Sequence, residues 1–192
     1  DSFTIASSFN DPRIRALRHE RNLGLPAALN TGIENASAEL LARHDQDDVA
    51  LRDRFAMQID FLASRPEVGV VGTWARVTSD VGTSKPAVVS EHRHPTDDES
   101  LRWRLLWNSP FVHSSVMMRR DVVRRVGGYS HVSARSLPED YDLWVRMSRE
   151  CSLANIPQFL QIYRQTSSGM SRVQHRDLSQ GVTQISGQEL SS

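Results

Sequence analysis

Three carboxylates lie within four residues at Asp45-Gln46-Asp47-Asp48, directly after a short apolar stretch. Crowded carboxylates repel one another, so such a cluster usually lies next to a cation or to the N-terminus of a helix. On an extended backbone Asp45 and Asp47 point to the same side, and two carboxylates there suit a hard ion such as Mg²⁺ or Mn²⁺. The cluster predicts a divalent-metal site. The alternative is a solvated loop in which Asp48 caps the following helix.

The same cluster also fits the D-x-D-x-[TV] spacing of aspartyl-phosphate phosphatases, through Asp45, Asp47 and Val49. A phosphatase of that kind needs a lysine that bridges the phosphate and the nucleophile. Lys85, in a segment that is predicted to be a loop, is the only lysine of the chain. Phosphate-ester hydrolysis therefore stays open as a minor alternative.

A second acidic pair, Glu139-Asp140, follows Pro138 at the start of a predicted helix. A carboxylate at a junction between a loop and a helix can reach a hydroxyl that is held in an adjoining cleft, and can act there as a general base. The alternative is that one of the two carboxylates is an N-cap and serves only the helix.

Composition narrows the classes of function. The chain has 192 residues, with 23 basic and 23 acidic residues, so the strongly basic surface of a nucleic-acid-binding protein is not expected. No apolar run approaches the roughly 20 residues that span a bilayer. Cys151 is the only cysteine, which excludes an intrachain disulfide and fits a reducing cytoplasm.

The acidic clusters must be positioned by alternating helices and strands, a pattern that predicts an α/β fold with a mostly parallel sheet flanked by helices. In the second predicted helix the apolar face consists of Leu51, Phe55, Ile59 and Leu62. Predicted helices cover 24–36, 51–63, 96–108, 121–126 and 139–150, and predicted strands cover 13–19, 39–45, 68–78, 112–119 and 156–164.

Local signals refine these elements. Thr96 and Glu99 form a T-x-x-E capping box, and Gly127-Gly128 is a stop signal for the short fourth helix. Segment 79–95 is predicted to be a loop or a loose hairpin, and segment 129–138 is predicted to be a loop. The four tryptophans are expected in the core or in cleft walls; they are Trp74, Trp103, Trp107 and Trp144.

Five segments occur in an order and spacing that resemble a known family. They are N-x-G-L with A-x-N-x-G-I in 22–33, A-R-H-D-Q-D-D in 42–48, PFVHSSVMMRR with V-G-G-Y in 110–129, E-D-x-x-L-W-x-R in 139–146 and Y-R in 163–164. Together they resemble the family 2 glycosyltransferases, which have the GT-A fold. No single segment identifies the family by itself, but the ordered set of five covers nearly the whole chain.

The resemblance implies a role for each acidic cluster. Asp45 and Asp47 would hold Mn²⁺ or Mg²⁺ against the diphosphate of a nucleotide-sugar, and Asn30, Arg43 and Asp45 would contact that donor. Asp140, with Glu139 beside it, would be the base. A single displacement at the anomeric carbon would invert its configuration.

Partners and location follow from the same resemblance. It implies a nucleotide-diphosphate sugar as donor, with a UDP-sugar as the first guess, and a glycan or glycolipid as acceptor. Cell-surface glycan synthesis in the cytoplasm is expected, with the inner face of the membrane as an open possibility.

Two departures from the family pattern shape the expectations. The strand–helix–strand unit with which the family usually begins is missing before Asp1, so an N-terminally incomplete GT-A domain is expected over 1–164. A non-catalytic remnant or binding module of the same fold is therefore the rival hypothesis. No histidine follows Arg164 closely, and 165–192 is predicted to be a polar, mobile tail.

Overall fold

We describe a computed structural model of the chain, which covers residues 2–79, 87–130 and 138–165. Lys85 and the predicted tail from residue 166 onward lie outside these residues, as does most of the predicted loop 129–138. The helices are α1 (Ser2–Ser8), α2 (Leu25–Asn35), α3 (Arg54–Ala63), α4 (Asp98–Leu105), α5 (Arg120–Arg125) and α6 (Glu139–Ser148). The strands are β1 (Leu40–Ala42), β2 (Val49–Ala50), β3 (Val68–Ser79), β4 (Ala87–His92), β5 (Met117–Arg119) and β6 (Ser152–Gln165).

The six strands form one mixed sheet in the order β1-β5-β3-β6-β2, and β4 pairs with the second half of β3. The α/β class is confirmed, but the prediction of a mostly parallel sheet is wrong for the described strands. Only β3 and β6 run parallel, and the other four pairings are antiparallel. Alternating helices and strands predicted the order of the elements, whereas strand direction depends on which strands become neighbours.

The core has two parts, one on each face of the sheet. One part packs beneath α4, α5 and α6 and includes Leu101, Val122 and Trp144, and the other packs beneath α3 and includes Leu62. Strands β3 and β6 contribute to both parts because both faces of each are covered. This explains the nearly continuous apolar run of β3, as expected of a strand between two layers of helices.

Several predicted elements shift in the structure. The segment 13–19 is not a strand, and the segment 113–115 is a 3₁₀ turn that precedes β5. Of the loop and the loose hairpin predicted for 79–95, the structure has the hairpin pairing, since β4 runs antiparallel to β3. Helix α4 is capped by Asp97, which accepts a bond from the Ser100 amide at 2.9 Å, so the predicted capping box is wrong. The glycine stop after α5 is confirmed, since Gly127 and Gly128 have φ of 85° and 69°.

Apolar spacing gave the wrong buried face for α3. Leu62 is buried as predicted, but Phe55 and Ile59 are 42% and 47% exposed. The helix instead buries the polar side chains of Arg54 and Gln58 against the sheet.

The tryptophans differ in their burial. Trp144 is in the core, whereas Trp103 on α4 and Trp107 just after it are exposed.

We expect Gly72→Ala to destabilise the chain by about 1–3 kcal/mol, because the added methyl group overpacks the core. The new Cβ would collide with the Asn155 Oδ1 atom and would lie 2.7 Å from Phe111 Cδ1. Asn155 cannot move away freely, since its Nδ2 group donates to the Pro95 and Pro110 carbonyls at 2.8 and 3.1 Å. Urea denaturation measures the change.

Gly32→Ala is the matched control. A Cβ at this position of α2 meets no atom within 4 Å. Replacing a helical glycine by alanine is expected to stabilise the chain by about 0.5–1 kcal/mol. A Gly72→Ala variant as stable as the native chain would contradict this account of the core.

Candidate functional site

The first acidic cluster lies on a turn between β1 and β2. The Arg43 amide donates to the Val116 carbonyl at 3.0 Å, which extends the pairing of β1 with β5 by one step. The Asp48 amide then donates to the Asp45 carbonyl at 3.2 Å and closes the turn. We call residues 43–48 the acidic turn.

The three carboxylates of the acidic turn have different surroundings. Asp45 forms an ion pair with the Arg43 guanidinium and is 38% exposed. Asp47 is half-buried and has no hydrogen-bond or ion-pair partner among residues 2–79, 87–130 and 138–165. Asp48 is buried and accepts from the Arg164 amide at 2.9 Å and from Gln161 Nε2 at 3.2 Å. The alternative in which Asp48 caps the next helix is therefore wrong, because its carboxylate binds β6.

The acidic turn fits a divalent cation that takes further ligands from phosphate or water. Within the described part of the chain, no group of three or more metal-ligating side chains occurs. Asp45 and Asp47 nevertheless supply two hard oxygen donors two residues apart, both partly open to solvent. Mg²⁺ and Mn²⁺ sites in phosphate-binding proteins commonly use one or two carboxylates in this way.

The second acidic pair lies in the first turn of α6. Pro138 is the N-cap and no side chain caps this helix, so the alternative in which Glu139 or Asp140 caps it is wrong. Burial, together with the neighbouring Glu139 carboxylate, raises the pKa of Asp140 to about 6. A carboxylate with this pKa is ionised at pH 7 and is more basic than an ordinary aspartate.

Arg43 and Tyr129 interact electrostatically with both acidic clusters. The charge of Arg43 acts on Tyr129 and Asp140, and Tyr129 also lies in the field of Asp45 and Glu139. Arg43 is buried, and its Nε atom has no hydrogen-bond partner among the described residues. The fold thus brings together two clusters that are nearly 100 residues apart in the chain.

His113 belongs to the same group as Arg43, Tyr129 and the two acidic clusters. The sequence alone did not predict its place there. Its Nε2 atom lies 2.8 Å from the Tyr129 hydroxyl, and its ring meets Trp144 edge-on. Burial lowers the pKa of His113 well below its usual range and raises the pKa of Tyr129. The pair is therefore uncharged near pH 7. Among the described residues, Arg43 is the cation that acts on Tyr129 and Asp140.

Asn30 positions the turn that carries Tyr129. Its Nδ2 group donates to the Tyr129 carbonyl at 2.8 Å, and its Oδ1 atom accepts from the Tyr129 amide at 2.8 Å. A Cβ at Gly128 would lie 2.6 Å from the same Oδ1 atom, so glycine permits this close approach. Asn30 therefore holds the Tyr129 turn, and its predicted contact with the donor stays a prediction.

The solved structures that resemble this one are glycosyltransferases with the GT-A fold. One is a mannosyltransferase of Pyrobaculum calidifontis in complex with GDP-Man and Mn²⁺, with a TM-score of 0.56 and 17% identity over 82% of this chain and 41% of that one. Another is S. aureus TarS in complex with UDP-GlcNAc, with a TM-score of 0.54 and 12% identity over 76% of this chain and 40% of that one. The fold is therefore a GT-A fold.

The sequence matches identify the family. The model of glycosyl transferase family 2 matches residues 2–127. An amylovoran biosynthesis glycosyltransferase of Erwinia amylovora is 34% identical over 154 residues, 80% of this chain and 55% of that protein. The chain belongs to the family 2 glycosyltransferases, as the five sequence segments predicted.

A second relative is the UDP-Gal:alpha-D-GlcNAc-diphosphoundecaprenol beta-1,3-galactosyltransferase of Escherichia coli. It is 32% identical over 146 residues, 73% of this chain and 49% of that protein. The chain thus spans about half the length of these two relatives. The helices of the described residues are all too short or too polar to cross a membrane.

We expect Asn30→Ala to destabilise the chain by about 1–3 kcal/mol, because it leaves the Tyr129 amide and carbonyl without their partner. Asn35→Ala is the control, since within the described ranges the exposed Asn35 side-chain amide bonds only to the Thr31 carbonyl one turn earlier. That change is expected to stay within about 0.5 kcal/mol. Equal losses in the two urea titrations would contradict the positioning role of Asn30.

Proposed function

We propose that this chain carries the reaction centre of a metal-dependent, inverting glycosyltransferase, which moves a sugar from a nucleotide-diphosphate sugar to an acceptor hydroxyl. The observation that supports this most is the convergence of the acidic turn and the Glu139-Asp140 pair on Arg43 and Tyr129. One cluster suits a diphosphate with its metal, and the other suits a hydroxyl that must lose a proton.

On the donor side, Asp45 and Asp47 would hold the metal, and Arg43 would take part in binding the diphosphate. When bound, Mn²⁺ or Mg²⁺ neutralises the charge that develops on the diphosphate leaving group. Arg43 has a buried guanidinium whose Nε–H has no partner among the described residues, and guanidinium donors match phosphate oxygens in geometry. Because the leaving group departs as a stabilised anion, no general acid is needed.

On the acceptor side, Asp140 is the base. Its pKa of about 6 is still below neutral pH, so the carboxylate is ionised, and the increase over an ordinary aspartate raises its affinity for the proton that the acceptor hydroxyl loses. Glu139 assists by repulsion, since its negative charge contributes to that increase. The base and the diphosphate lie on opposite sides of the sugar in a single in-line displacement, which inverts the anomeric centre.

The printed names of similar proteins guide the choice of substrates. One relative uses UDP-Gal and a diphosphoundecaprenol-linked acceptor, and one structural neighbour was solved with GDP-Man and Mn²⁺. We propose a nucleotide-diphosphate sugar, with UDP as the first nucleotide to test, and a glycan or glycolipid acceptor. Action in the cytoplasm at the inner face of the membrane fits a lipid-linked acceptor.

A thermal-shift titration with UDP and with GDP, each with and without Mn²⁺, tests the donor side. We expect a metal-dependent rise in the melting temperature with one of them, because a ligand that binds only the folded state stabilises it. Asp47→Asn should abolish that shift, whereas Asp60→Asn, an exposed acid on α3, should keep it. A native chain that melts cooperatively and shows no shift would favour the non-catalytic binding module.

The pH dependence of transfer tests the acceptor side. The rate should fall about tenfold per pH unit below about pH 6, because protonated Asp140 cannot accept a proton. Glu139→Gln removes a charge that raises this pKa, so the acid limb should move to lower pH. Asp140→Asn should lose about 10²–10⁴-fold in rate and keep the thermal shift.

Asp142→Asn is the control for the pH profile. Asp142 lies on the same helix and is ion-paired with Arg146 at 2.6 Å, away from the proposed proton transfer. Its replacement should leave the acid limb where it is. Normal turnover by the Asp140→Asn variant would eliminate Asp140 as the base.

A further inference from the structure

The most deeply buried charge of the described residues lies next to the acidic turn. The Arg54 side chain is completely buried, and no acidic side chain within the described ranges lies at ion-pair distance from it. Burial of an unpaired charge is costly, so a guanidinium in this place needs hydrogen bonds for its N–H groups. Burial, and to a lesser degree the nearby Arg43, lower the pKa of Arg54 to about 10, and the group remains charged at pH 7.

Arg54 uses its planar fork to hold the first end of the acidic turn. Its Nη2 group donates to the Arg43 carbonyl at 2.7 Å and to the Val116 carbonyl at 3.3 Å. Since Val116 also accepts from the Arg43 amide, the start of the turn is attached to the residue before β5 by one direct hydrogen bond and by the bridge through Arg54. The Nε group donates to Gln58 Oε1 at 3.2 Å, one turn further along α3.

The same guanidinium reaches the other end of the turn through Gln161. Its Nη1 group donates to Gln161 Oε1 at 2.7 Å, and Gln161 Nε2 donates to the Asp48 carboxylate at 3.2 Å. Asp48 in turn accepts from the Arg164 amide. Both ends of the segment that carries Asp45 and Asp47 are therefore connected to one side chain on α3.

We propose that Arg54 is a positioning residue that sets the geometry of the acidic turn, and through it the placement of the two metal-binding carboxylates. The metal is part of the proposed function, and this inference rests on it to that extent. Lysine cannot replace arginine here, because an ammonium group lacks the planar fork that bonds a carbonyl and two amide oxygens at once. Positions that hold ligand-bearing segments commonly affect metal affinity strongly.

Arg119 provides a matched comparison within the chain. Its guanidinium also donates to backbone carbonyls, those of Val68 at 2.9 Å and Leu62 at 2.7 Å, but it fastens the end of α3 to β3 instead of the acidic turn. Arg54→Lys and Arg119→Lys thus remove similar bonds at two different places. If the two substitutions only lower the stability of the chain, both variants should change in the same way. If Arg54 positions the acidic turn, only Arg54→Lys should affect that turn.

Hydrogen–deuterium exchange of the chain without metal or nucleotide tests the positioning directly. We expect Arg54→Lys to speed exchange about tenfold or more in peptides over 43–49, with little change over 62–68. Arg119→Lys should show the reverse pattern. Uniform acceleration in the Arg54→Lys variant, or protection of 43–49 like that of the native chain, overturns the proposal.

Mn²⁺ binding in the presence of UDP, followed by the electron paramagnetic resonance of free Mn²⁺, gives the functional readout. Arg54→Lys should weaken binding about tenfold or more, and Arg119→Lys should stay within about twofold of the native chain. Equal weakening in both variants overturns the proposal. If the native chain binds no Mn²⁺, the proposed function fails, and the exchange pattern still decides whether Arg54 holds the turn.

If Arg54→Lys does not fold, Gln161→Ala is the second variant that tests the proposal. Truncation opens a polar space in which water can bond to Arg54, while the link from Arg54 to Asp48 is broken. Exchange over 43–49 should again rise selectively, by about tenfold. Unchanged protection of that segment in a folded Gln161→Ala variant counts against the proposal.

Discussion

A buried guanidinium must have its N–H groups satisfied, and this requirement organises the middle of the molecule. Arg54 lies beneath the sheet, where water cannot solvate it, so oxygen atoms of the protein must surround it. Those oxygens come from Gln58 on its own helix, from Val116 before β5, from Arg43 after β1 and from Gln161 on β6. Elements that are far apart in sequence are thereby held in one register around one side chain.

The electrostatics of the site depend on how Arg54 holds these elements together, because the site contains few charged groups and they interact at short range. Arg43 acts on both acidic clusters, and its backbone carbonyl is one of the groups that Arg54 holds. Its guanidinium pairs with Asp45 and acts on Asp140 and Tyr129. A small shift of the acidic turn would therefore alter the donor side and the acceptor side together. In a low-dielectric cleft such electrostatic effects are larger than at a surface.

Some features of the sequence were misleading for a physical reason. The spacing of Phe55 and Ile59 indicates an apolar face of α3, yet both side chains are largely exposed and Arg54 and Gln58 are buried in their place. Amphipathic periodicity assumes that the buried face is the apolar one. Here hydrogen bonds to carbonyls of neighbouring strands compensate for the burial of two polar side chains. That compensation depends on long-range contacts that no local pattern contains.

The sequence by itself determined the α/β class, the family, most helices and the two acidic clusters, because these depend on local spacing and on ordered short motifs. It also determined the glycine turn after α5, since two successive residues with positive φ favour glycine. Only the tertiary structure decided strand direction, the binding of Asp48 to β6, the commitment of Asn30 to the Tyr129 turn and the inclusion of His113. Each of these depends on which distant groups satisfy a buried polar atom or strand edge, and that choice is made only when the chain packs.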